Sequence, residues 1–162
     1  MSNTKTVIPP CPNPKVPKSD IEFRHIMELQ VRFSDIDIFG HVNNGAYLSM
    51  MDLAKATYYA EVGALEFTAE SIRAVVVNIN CNFYSPAYFG EPLAVATAVK
   101  SVSERSFVIE QRLFNRETGD VKCTSHTVLA GFDPATAKSA PIAPELVARF
   151  ESYEGRSLSA KG

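Results

Sequence analysis

Val31-Arg32-Phe33-Ser34-Asp35-Ile36-Asp37-Ile38-Phe39-Gly40-His41-Val42-Asn43-Asn44-Gly45-Ala46-Tyr47-Leu48 runs from an apolar strand, through a polar loop, into an amphipathic helix. Two acids, a histidine and two asparagines fall within ten residues of it, where folding needs only a turn and a cap. Fixed carboxylates beside the unpaired N–H groups of a helix start are a setting for catalysis.

Working outward, Ile26, Glu28, Gln30 and Arg32 alternate with Met27, Leu29, Val31 and Phe33, a strand over 26–33. Asn43 or Asn44 is placed to cap the helix. Tyr47, Met51, Ala54, Tyr58 and Val62 recur at helical spacing, Leu48 widens the stripe, and Gly63 marks the stop. From Asn44 to Val62 the helix spans roughly 28 Å, enough to cross the face of a sheet.

The second half changes period. Val75, Val77, Ile79, Cys81 and Phe83 alternate with Val76, Asn78, Asn80, Asn82 and Tyr84, a strand with one buried face that Ser85-Pro86 ends. Further strands are expected over 92–102, 105–115 and 121–132, the last two joined by the hairpin turn Asn115–Asp120. Asp133-Pro134 stops the last, and Leu146, Val147 and Phe150 mark a short helix near 144–154. One long helix followed by consecutive strands is best buried by wrapping the sheet around it, an α+β arrangement.

A chain of 162 residues, 46% hydrophobic and 21% charged, suits one globular domain. The domain is expected over 21–155, between a flexible, Pro-rich arm (1–20), free to rest on a neighbouring subunit, and a polar, frayed tail (156–162). A net charge of −2 gives no global attraction to nucleic acid or an anionic membrane, while leaving room for a local basic patch. The odd set Cys11, Cys81 and Cys123 argues against a disulfide framework or a zinc site and for a reducing cytoplasm. No apolar run reaches the length of a membrane span, and the N-terminus lacks the apolar core of a secretory signal.

The stretch Asp35-Ile36-Asp37-Ile38-Phe39-Gly40-His41-Val42-Asn43-Asn44, with Tyr47-Leu48, Asp52 and Lys55 after it, resembles the hot-dog-fold acyl-CoA thioesterases. It is most similar to the 4-hydroxybenzoyl-CoA thioesterase family, in its long-chain acyl-CoA branch. Tyr84-Ser85-Pro86-Ala87-Tyr88-Phe89-Gly90-Glu91-Pro92-Leu93, and Ser106-Phe107 after Arg105, resemble later family motifs. The resemblance covers roughly residues 25–133. It implies a curved antiparallel sheet of about five strands around a central helix, and active sites at the interface of a homodimer or homotetramer. It implies no metal or redox cofactor.

On the resemblance, Asp37 matches the motif acid that serves as nucleophile or general base, while Asp35 is read as bonding the loop. His41 orients the carboxylate, donates to the thioester carbonyl or braces the loop. The N–H groups around Asn44, Gly45 and Ala46 suit an oxyanion, and Gly45 allows close approach of a ligand. Asp52 is the reserve carboxylate, with pairing to Lys55 as its plain alternative. Tyr47 is a core residue or lines an acyl pocket; Arg105 and Lys100 are the cations offered to coenzyme A. Phe39 stands where acyl-carrier-protein thioesterases carry asparagine, which weakens that assignment. Ile38 and the His-Val-Asn-Asn tetrapeptide separate the chain from the aromatic-substrate branch and favour an aliphatic acyl group. The expected reaction is hydrolysis of acyl-CoA to a free acid and coenzyme A. The alternatives are a non-catalytic acyl-thioester-binding protein of this fold and an acyl-carrier-protein thioesterase.

Overall fold

A computed structural model describes residues 7–63 and 72–160. Its elements are β1 (His25–Leu29), α1 (Asn44–Glu61), β2 (Ala74–Phe83), β3 (Leu93–Val102), β4 (Ser106–Asn115), β5 (Val121–Asp133), β6 (Lys138–Ser139) and α2 (Pro144–Glu154). The long strands pair antiparallel in the order β1-β3-β4-β5-β2, and the two-residue β6 joins β5 as a sixth strand. The wrapped-sheet α+β fold therefore holds, with one small strand beyond those expected.

Helix α1 lies on the inner face of the sheet, and the core divides along its length. Tyr47, Met50, Met51 and Ala54 meet Leu93, Val95, Leu113 and Cys123 near its start. Towards its end, Tyr58 and Val62 meet Val99, Phe107, Ile109 and Leu129, closed over by Leu146 and Phe150 of α2. Asn43 caps α1 through its side chain, which accepts the Gly45 N–H at 2.8 Å.

Four expectations need correction. The first strand ends at Leu29, and Phe33–Asp35 form a 3₁₀ turn. The Asp35 carboxylate takes the Arg32 N–H at 2.8 Å, and this local bond turns the chain. Among the described residues strand β2 has no buried face: it pairs only with β5, and Val75, Val76, Val77, Ile79 and Phe83 are exposed. A period of two shows that a strand has two faces, not that its own chain covers one.

The Pro-rich segment, expected to be flexible, is packed on its own sheet over residues 7–20. Val16 is buried against Ala94, Ala96, Phe114 and Val121 on the outer face, and Ser19 donates to Glu110 at 2.8 Å. Where the segment crosses the β4–β5 turn, Gly119 has φ +73°, and a Cβ there would sit 2.5 Å from the Pro10 carbonyl oxygen. The tail is likewise docked over 156–160: Leu158 is buried, and its carbonyl accepts the Val102 N–H at 2.7 Å. Residues 1–6 of the expected arm and 161–162 of the tail lie outside the described residues.

Candidate active site

The acidic loop closes on itself as a miniature hairpin. Ile36 bridges Val42, the Asp37 N–H donates to the His41 carbonyl at 2.9 Å, and Gly40, at φ +78°, turns the chain between them. Asp37 Oδ1 accepts the N–H of Phe39 at 2.8 Å and that of His41 at 3.4 Å. Those bonds fix one carboxylate oxygen by main-chain donors and leave Oδ2 open on a half-buried side chain.

The loop is tied at both ends. The Asn43 N–H donates to the Asp35 carbonyl at 2.8 Å, and the Val42 N–H donates to the Ala87 carbonyl at 2.8 Å. The β2–β3 connection that carries Ala87 is anchored by the buried Lys122, whose Nζ reaches Pro86 O at 3.0 Å, Asp120 at 2.9 Å and Glu91 at 3.1 Å. Burial opposes charge on Lys122, but Asp120 and Glu91 outweigh it and hold the pKa above the ordinary lysine value.

The structure brings only part of the expected set together. Asp37, His41 and the start of α1 share one end of the sheet, and Asp35 is the loop brace, paired with Arg32 at 3.3 Å. Gly45 spends its N–H on the Asn43 cap, so Asn44 and Ala46 are left with N–H groups lacking an intrahelical acceptor. Tyr47 sits in the core, its ring edge-to-face with Phe83 at 5.2 Å, and burial pushes its pKa up to about 12. Asp52 pairs with Lys55 at 2.7 Å.

Lys100 and Arg105 lie elsewhere. Strand β3 starts at the acidic-loop end, and Arg105 lies in the hairpin at its other end, about 30 Å away at roughly 3.3 Å per residue. Lys100 is engaged by Glu110 at 3.1 Å and Asp20 at 3.5 Å, while Arg105 donates to Ser139. Tyr88 received no role from the sequence, yet its ring lies 5.2 Å from that of His41, edge-to-face. Its place in the Pro-Ala-Tyr-Phe-Gly stretch was the available signal. Among the described residues no cluster of three or more His, Cys, Asp or Glu side chains could hold a metal, and no helix is long and apolar enough to cross a membrane.

A curved antiparallel sheet wrapped on one long helix is the arrangement of the hot-dog fold. The chain belongs to the thioesterase-like superfamily, whose family model matches residues 31–150. It is 26% identical over 125 residues to the long-chain acyl-CoA thioesterase FadM of Escherichia coli K12, covering 76% of this chain and 95% of that protein. The acyl-CoA thioester hydrolase YbgC of E. coli O6:H1 is 23% identical over 76% of this chain and 92% of its own. Among solved structures, a Thermus thermophilus thioesterase complexed with coenzyme A and Zn superposes with a TM-score of 0.76. Its identity is 26%, over 84% of this chain and 98% of that one.

Proposed function

We propose that this protein hydrolyses acyl-CoA thioesters, giving a free carboxylic acid and coenzyme A. The observation that carries the reading is the divided Asp37 carboxylate: Oδ1 is held by two backbone N–H groups while Oδ2 is open beside the start of α1. A thioester asks little more, because its thiolate leaves with a pKa of about 8.5 and needs little acid assistance. Asp37 Oδ2 takes a proton from the attacking water or adds to the carbonyl itself. The N–H groups of Asn44 and Ala46, at the positive end of the helix dipole, receive the developing oxyanion. His41, across the loop from Asp37, orients the substrate carbonyl.

A homodimer completes the site in this reading. Among the described residues the ten-residue β2 has no strand on its outer edge, and it exposes Val and Ile side chains, an edge that a second copy of itself fits by two-fold antiparallel pairing. Arg105 of such a second copy is the cation we assign to the coenzyme A phosphates, since Lys100 is held by Glu110 and Asp20, whereas Arg105 has, among the described residues, a single, exposed ion pair, with Glu104 at 3.9 Å. Unpaired Cys11, Cys81 and Cys123 fit a reducing cytoplasm.

Thiol release from hexanoyl-, palmitoyl- and benzoyl-CoA tests the activity and ranks the acyl classes. Turnover of at least one, fastest with an aliphatic chain, is expected. Tight binding with no thiol release from any would replace the enzyme with an acyl-thioester-binding protein.

A further inference from the structure

We infer that the dipeptide Tyr88-Phe89 is a positioning clamp for the acidic loop, an inference that rests on Asp37 and His41 being the reacting groups. Its two rings grip the loop on either side of the carboxylate. Phe89 meets Phe33, four residues before Asp37, edge-to-face with ring centroids 6.4 Å apart. Tyr88 meets His41, four residues after Asp37, edge-to-face at 5.2 Å. Between them the Ala87 carbonyl takes the Val42 N–H at 2.8 Å, so contacts from one short segment reach residues 33, 41 and 42.

The segment is firm enough to act as a jaw. Ala87 is wholly buried, and the preceding Pro86 carbonyl is held by the Lys122 ammonium at 3.0 Å. The rings do little for the core: Tyr88 is 45% exposed, Phe89 61% and Phe33 85%. What the rings touch is the loop. Edge-to-face pairing is directional, so it fixes the angle of the imidazole as well as its distance. A reacting group displaced by about 1 Å loses up to ~100-fold in rate, which makes such a contact matter to turnover more than to stability.

The full-length protein is assayed by thiol release from hexanoyl-, palmitoyl- and benzoyl-CoA. With Tyr88→Ala we expect kcat to fall tenfold to a hundredfold, KM to stay within twofold, and Tyr88→Phe to restore most of the rate. In a His41→Ala background, Tyr88→Ala should add no further loss, and Phe89→Ala should likewise add none to Phe33→Ala. Losses that multiply in both backgrounds would overturn the clamp. So would a rise in KM with kcat intact, which would put the rings on the substrate instead. If Tyr88→Ala fails to fold, Tyr88→Leu keeps the apolar bulk without the ring and is read the same way. If the wild-type chain releases no thiol, the reading of the active site fails, and the clamp is judged by amide hydrogen exchange. Residues 36–42 should then exchange at least tenfold faster in the Tyr88→Ala, Phe89→Ala double variant, and unchanged exchange would overturn it.

Discussion

Replacing Asp37 in two ways separates its chemistry from its scaffolding. In Asp37→Asn the amide oxygen can occupy the place of Oδ1 and keep the N–H bonds from Phe39 and His41, while an NH₂ group replaces Oδ2. The loop loses only the charge assistance in those bonds, a cost of about 0.5–1 kcal/mol. The reaction loses its base or nucleophile, worth roughly 10²–10⁴-fold, or about 3–5 kcal/mol in the barrier. Asp37→Ala loses the same chemistry and both bonds as well. At about 1 kcal/mol per bond it should be about 2 kcal/mol less stable than wild type, a little less because the 3.4 Å bond from His41 is long. Thiol release from acyl-CoA and urea denaturation, run on all three proteins, read the two effects apart. Turnover by Asp37→Asn within tenfold of wild type would refute the reasoning. Equal destabilisation of the two variants would refute the assignment of Oδ1 to the loop.

Three further outcomes follow from other parts of the molecule. Val77→Lys puts a charge on a side chain that is 58% exposed in the single chain, so it should leave the monomer folded while light scattering shows loss of the proposed dimer, with activity lost alongside. Lys122→Met keeps the stem but leaves Asp120, Glu91 and the Pro86 carbonyl without their cation. A fully buried pair broken this way costs about 3–5 kcal/mol, and because these carboxylates partly reach water we expect about 2 kcal/mol in urea denaturation. Glu154, buried against Tyr58 Oη at 2.6 Å and the Val99 N–H at 2.9 Å, has its pKa raised, because burial outweighs those two donors. The folded chain then holds a proton that the unfolded chain gives up, so Glu154 costs stability as pH rises above the ordinary 4.5 through its folded value. Glu154→Gln has no such slope, and its urea midpoint relative to wild type should increase between about pH 4.5 and pH 8; a constant difference would show that Glu154 does not titrate in this window.

The local grammar of the chain was legible because it is enforced locally. Asn43 and Gly63 bracket α1 by satisfying groups at its own ends, and Tyr47, Met51, Ala54, Tyr58 and Val62 form the buried face that lies on the sheet, while Leu48, expected to widen it, is exposed. The acidic loop was legible for the same reason, since its internal bonds connect residues two to eight positions apart, and the tie from Val42 to Ala87 is the long-range exception. What escaped depends on distant partners. Nothing in Val75–Phe83 tells that these side chains are exposed in the single chain. Nothing in the run of prolines before Val16 tells that one valine will find Ala94, Ala96 and Phe114. Arg105 sits beside a recognisable Ser-Phe, but the register of β3 on β4 decides that it lies at the far end of the sheet from Asp37. The contact of Tyr88 with His41 joins two loops that only the folded sheet brings together.

The electrostatics around the loop support the proposal that Asp37, among the acids at this end of the sheet, carries the reaction. Asp35 is paired with Arg32, Glu28 with Arg116 at 2.8 Å, Glu91 and Asp120 with Lys122, and Asp52 with Lys55. A carboxylate engaged by a cation is less available as a nucleophile, because the cation occupies the oxygens that would have to reach the carbonyl. Asp37 accepts backbone N–H groups through one oxygen only, which orients the group while leaving the other oxygen its electron pair. The same pairing lowers the net negative field at this end of the sheet, and that matters for a substrate as anionic as coenzyme A. Repulsion from unpaired acids would hold its phosphates away, whereas neutralised neighbours let the thioester reach Asp37 and the positive end of α1 attract the developing oxyanion. A site built this way needs no serine nucleophile: it needs one carboxylate kept unpaired while its neighbours are not.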